Sequence, residues 1–132
     1  MATPAEIAAK FITTKLSLVI GTGIFIGKEP ASPIDCLTVY DTGGRDELTS
    51  LEHGCKTMRR PSIQIRARNK SYPAGYSALQ AAGEALKTAR DYQYDGLILT
   101  AALRKTDIIS IGKDATGNSV FTLNFDLTTR VI

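Results

Sequence analysis

The stretch Ser119-Val120-Phe121-Thr122-Leu123-Asn124-Phe125-Asp126-Leu127-Thr128 alternates apolar and polar residues. Phe121, Leu123, Phe125 and Leu127 fall on one side of an extended chain, and Thr122, Asn124, Asp126 and Thr128 on the other. A period of two is the signature of a strand with one face in a core and one toward solvent. Just upstream, Asp114-Ala115-Thr116-Gly117-Asn118 supplies turn residues, with Gly117 available for a positive φ. Asp107–Gly112 before it then reads as the other arm of a hairpin, and Gly96–Leu103 as a further strand. The same alternation appears in Ser62–Arg68. Ile63, Ile65 and Ala67 face one way, and Ser62, Gln64, Arg66 and Arg68 face the other, giving a half-buried strand with a basic outer face.

Two helices complete the pattern. Thr3 followed by Pro4 and Glu6 is a capping box with Pro at the first helical position. It opens a helix over Pro4–Leu18, with Ile7, Ala8, Phe11, Ile12 and Val19 on its apolar face and Gly21 or Gly23 as its stop. Ser71 caps a second helix with Pro73 in its first turn. Tyr72, Tyr76, Leu79, Gly83 and Leu86 mark its stripe, and it runs to about Arg90. Ile24–Lys28 is a short strand and Cys36–Asp41 a longer one, separated by an extended stretch that Pro30 and Pro33 impose. Thr42–Arg60 reads as a long loop, a length that in so small a domain is functional or flexible. The expected fold is α+β: a mainly antiparallel sheet, two helices packed on one face, and a long loop between strands.

At 132 residues the chain has room for one domain, 1–132, and its 43% hydrophobic and 22% charged residues exclude a disordered polymer. No apolar run reaches the ~18 residues of a membrane span, and no basic segment precedes an apolar core at the N-terminus. The net charge of +3 is unevenly placed. Between His53 and Lys70 stand Lys56, Arg59, Arg60, Arg66, Arg68 and Lys70 with no acidic residue, while the rest of the chain is net −3. Such a block either meets a polyanion or acidic neighbours, or is a solvated strand edge guarded by charge. It carries no interleaved aromatics for stacking bases, so any nucleic-acid contact would be to duplex phosphates without sequence readout.

Motifs for chemistry are weak. Asp41-Thr42-Gly43 after Leu37-Thr38-Val39-Tyr40 is the triplet of aspartic proteases, whose dimeric members use paired carboxylates. Here Gly44 stands where a small Ala or Ser belongs, and Asp114 leads into a turn where that fold needs a helix. Gly21-Thr22-Gly23 with Gly27-Lys28 lacks the spacing of a phosphate loop or dinucleotide fingerprint. Cys36 and Cys55 with the single His53 fall short of a zinc set, and both thiols are expected reduced, Cys36 in a strand and Cys55 in a loop. His53 and Cys55 have no acidic partner nearby to make a nucleophile pair. No catalytic residue, cofactor or metal is expected.

Three segments in register carry a resemblance. Cys36–Gly44, then Pro61–Arg68 with the helix that follows, then Ile111–Gly117 with Phe121–Phe125, together resemble the tailed-bacteriophage minor capsid family, which includes tail terminator (tail completion) proteins. The resemblance spans roughly Ile34–Phe125. It implies a structural virion protein that forms a homo-oligomeric ring, commonly a hexamer, on the head-proximal end of the tail tube. Its implied partners are copies of itself, the tube protein, a head–tail connector or stopper protein, and duplex DNA passing through the lumen, with no membrane. Lys56, Arg59, Arg60, Arg66, Arg68 and Lys70 become candidates for inter-subunit or lumen contacts, and the loop Thr42–Arg60 a candidate for ordering on assembly. The competing readings are another neck component, a dimeric aspartic protease using Asp41, and a DNA-binding module.

Overall fold

A computed structural model of the chain describes residues 2–48 and 58–131, with side chains described outside 45–48. The element order is α1 (Pro4–Leu16), β1 (Ile24–Ile26), β2 (Cys36–Leu48), β3 (Met58–Asn69), α2 (Tyr72–Leu86), β4 (Arg90–Tyr94), β5 (Leu97–Arg104), β6 (Ile109–Lys113) and β7 (Ser119–Val131). The strands form one sheet in the order β1-β2-β3-β7-β5-β4, and β6 pairs with the N-terminal part of the long β7 beside β5. All pairs are antiparallel except β1 with β2. This is the expected α+β layer.

The alternation in β7 and β3 builds the core directly. Phe121, Leu123, Phe125 and Leu127 join Ile63, Ile65 and Ala67, with Leu37 and Val39 from β2 and Leu97 and Leu99 from β5. Onto this face α1 brings Ile7, Ala8, Phe11 and Ile12, and α2 brings Leu79, Ala82 and Leu86. Gly83 lets α2 lie close on the sheet, since a Cβ there would stand 2.6 Å from Leu123 Cδ2. The opposite face of β3 and β7 is a polar ladder. Ser62 Oγ donates to Asp126 Oδ1 at 2.6 Å, and Gln64 Nε2 to Asn124 Oδ1 at 3.2 Å.

Four expectations are corrected. The first helix stops at Leu16, not at a glycine, because Ser17 takes the left-handed conformation (φ 56°), and Val19 leaves the apolar face to stand exposed. The Thr3 cap is as read, its hydroxyl accepting the Glu6 N–H at 3.2 Å. The second helix ends at Leu86, not near Arg90. Thr88 closes that end through its hydroxyl on the Ala85 carbonyl at 2.7 Å, and the chain turns into β4, a strand absent from the sequence reading. β4 returns to β5 through Asp95-Gly96, both at positive φ (49° and 80°), the geometry of a tight hairpin.

Tyr72 and Tyr76 are also not core. They are exposed by 57% and 38% and set their rings edge-on to the buried Phe121, with centroids 5.0 and 5.9 Å away. Gly75 and Ala82 take the buried places on α2 instead.

Finally, much of the expected loop Thr42–Arg60 is sheet. β2 continues to Leu48 and pairs with β3 as far as Leu48↔Met58, through irregularities after Asp41 and Arg45. The two glycines that read as a loop are a strand irregularity. Gly43 and Gly44 have φ of 96° and 113°, and a Cβ on Gly44 would collide with the Arg60 carbonyl and stand 2.6 Å from the Ser62 nitrogen. Residues 49–57, with His53, Cys55 and Lys56, lie outside the described residues.

Candidate functional site

The basic block is not one patch. Alternation along β3 sends Arg59 and Arg60 to opposite faces. Arg59 lines a hollow with Thr3, Pro4 and Asp41 beside the start of α1, and Arg60 lines another with Leu103, Asp126 and Thr128 on the polar face. Lys70 is exposed beyond the end of β3, its backbone N–H donating to Asp35 Oδ1 at 2.9 Å. Lys56 lies outside the described residues.

Arg66 and Arg68 share the outer face of β3, as the alternation requires, but a single carboxylate holds both. Arg66 Nε stands 3.0 Å from Glu29 Oε2, and Arg68 Nη1 3.0 Å from Glu29 Oε1. The stretch carrying Glu29 crosses over the start of β2 and the end of β3. Its backbone completes the Arg68 shell: the Ile34 and Pro33 carbonyls accept at 2.9 and 3.0 Å, and the Pro30 carbonyl accepts as well. Arg68 is 8% exposed. A guanidinium has five N–H donors and no acceptor, so buried it needs such a cage. Arg68 therefore acts as a clasp fixing the Pro30–Ile34 crossing to the sheet. The sequence offered a signal for this, an acidic residue at the head of a proline-stiffened crossing, but no way to see that it lands on both arginines.

Asp41 has a structural task. Its Oδ1 accepts the N–H of Ala5 at 2.9 Å, so a carboxylate on β2 sits at the N-terminus of α1. Free N–H groups and the positive end of the helix dipole make that position favourable for a negative charge. The Asp41-Thr42-Gly43 triplet lies within the strand β2, at its irregularity, instead of in a catalytic turn. Cys36 is buried, and burial pushes its thiol up, with the nearby Arg68 pulling less strongly the other way. A thiol so held is no nucleophile. Among the described residues, no group of His, Cys, Asp and Glu is placed to hold a metal ion.

Besides Val19, Ile20, Tyr72 and Tyr76, apolar surface among the described residues lies along β6 with the end of β5, and in a groove over the start of β2. Beyond β5 and along β6, Leu103, Ile109 and Ile111 are 69%, 44% and 51% exposed. Over the start of β2 and the end of β3, Leu16, Leu18, Leu37, Ala78 and Ala81 line a groove of about 400 Å³ between the end of α1 and α2. Sequence reading missed both, because a short strand with two isoleucines looks the same whether its edge is covered or free.

No protein of curated function matches the chain. The family model described as "Bacteriophage tail terminator protein" matches residues 11–131, a wider span than the segments that first suggested the likeness. That family is structural and non-enzymatic, which overturns the reading of Asp41 as a protease residue and agrees with its place at a helix terminus. The chain belongs to the bacteriophage tail terminator family.

Proposed function

We propose that this protein ends tail-tube polymerisation by forming a homo-oligomeric ring, commonly of six copies, on the head-proximal end of the tube. The ring then offers its far side to a head–tail connector or stopper protein, and duplex DNA passes through its lumen without sequence readout. Assembly takes place in the host cytoplasm. The observation that carries this reading is the family match across 11–131, which includes every element from the middle of α1 to the end of β7. The internal use of Arg68 and Asp41 supports it, since residues that hinted at ligand or catalysis are occupied in holding the fold.

Within this reading the basic residues divide. Arg68 is enclosed, so contact with a neighbour or with DNA falls to Arg59, Arg60, Lys70, the one-third-exposed Arg66, and Lys56. Such contacts position without specifying sequence. Electron microscopy of virions carrying a label on this chain is the test. The label is expected at the junction between tail tube and head. A label at the distal tail tip, or on the capsid shell, would overturn the assignment.

A further inference from the structure

We infer that copies of this chain join by seating the aliphatic edge of β6 and the end of β5 of one subunit in the groove between α1 and α2 of the next. The inference rests on the self-assembly reading above and names its contact.

β6 is exposed at every residue, and among the described residues it pairs only with β7. Its outer edge therefore presents free backbone N–H and C=O groups beside the exposed Ile109 and Ile111, and the exposed Leu103 lies four positions further along β7, opposite Asp126. A bare apolar edge strand is an aggregation hazard unless a partner covers it. The receiving groove is concave and apolar, with Leu16, Leu18, Leu37, Ala78 and Ala81 on its walls, and at about 400 Å³ it has room for more than one aliphatic side chain.

Two features select a second copy of the chain as the occupant. The concave part lies over the start of β2 and the end of β3, beneath α2, and the protruding part lies beyond β7, where β6 has a free outer edge. The proposed contact joins two unlike patches, so it is heterologous, and repeated contacts of that kind close into a ring when the rotation divides the circle. Charge also matches. Lys113 at the end of β6 is exposed, and Asp35 on the groove rim is exposed; neither has an ion-pair partner among the described residues. The aliphatic residues would form the centre of a larger interface, because a stable contact buries about 1,200–2,000 Å² in total.

The test uses two variants in the full chain, Ile111→Asp to spoil the protrusion and Ala81→Arg to spoil the groove. Both positions are exposed, and thermal melts matching the unmodified protein establish that each variant folds. Assembly is read by sedimentation in solution and by cross-linking on isolated tail-tube ends. Each variant alone should need about 30-fold or more protein to assemble, the size of a hot-spot loss. Mixed in equal amounts, they should form dimers and stop there, because each pair retains one intact protrusion facing one intact groove. Variants that assemble as the unmodified chain does, or a mixture that stays monomeric, would overturn this contact and leave ring formation standing. An unmodified chain that remains monomeric both in solution and on tube ends would overturn both readings.

Discussion

Asp41, Glu29 and Gly44 each hold the fold at a point where a single substitution reports on it. Asp41→Ala removes the acceptor for Ala5 N–H and should cost about 0.5–2 kcal/mol in chemical denaturation, the range for losing a helix-terminal acceptor. Asp41→Asn keeps an oxygen there and should cost less while leaving assembly intact. Glu29→Ala strips the shared carboxylate from Arg66 and Arg68. Losing one side of a buried pair costs about 3–5 kcal/mol, but Arg68 retains three carbonyl acceptors, so about 2–3 kcal/mol is expected from the same measurement. Gly44→Ala places a methyl against the backbone of Arg60–Ser62 at a φ of 113°, and should lower the melting temperature by more than either Asp41 change. Of these roles the sequence displayed only residue types. That Glu29 meets Arg68 across 39 positions, or Asp41 meets Ala5 across 36, depends on crossings that no local pattern encodes.

At the scale of elements, legibility followed periodicity. β3 and β7 alternate strictly, and their faces are as read because one shift in register would bury Arg66 and expose Phe121. The Thr3 and Ser71 caps were equally plain, since capping depends on neighbours three residues away. β4 was missed although Asp95-Gly96 is a strong hairpin signal, because the alternation in Arg90-Asp91-Tyr92-Gln93-Tyr94 rests on two half-buried tyrosines alone. The end of β2 was missed because Gly43-Gly44 is also the mark of a turn.

The β6–β7 hairpin yields an element-scale prediction. Asp114 has its carboxyl lowered to about 2, first by the Asn118 N–H at 2.9 Å and then by its other bonds to Asn118 and Thr116. A group depressed in the folded state stabilises it above the ordinary carboxyl value of 3.8, and that support fades as pH falls through about 2. Amide resonances of Thr116 and Asn118 should therefore titrate with a midpoint near 2; a midpoint near 3.8 would show that the turn bonds do not hold in solution.

For the whole molecule, the layered fold keeps the α1 and α2 side chains and the sheet's apolar face in one core, and leaves the outer edge of β6 and the polar face on its surface. The chain is a structural component of the phage virion, and the described residues of the basic block, Arg59, Arg60, Arg66, Arg68 and Lys70, do not form one patch once β3 is extended. Linear clustering on a strand does not survive the alternation of side chains, which is why the candidate site was less legible than the fold. The most direct measurement of the central claim is tail length in particles made without this chain. Capping predicts tubes that overrun the normal length and fail to join heads. Tails of normal length, joined to filled heads, would contradict it.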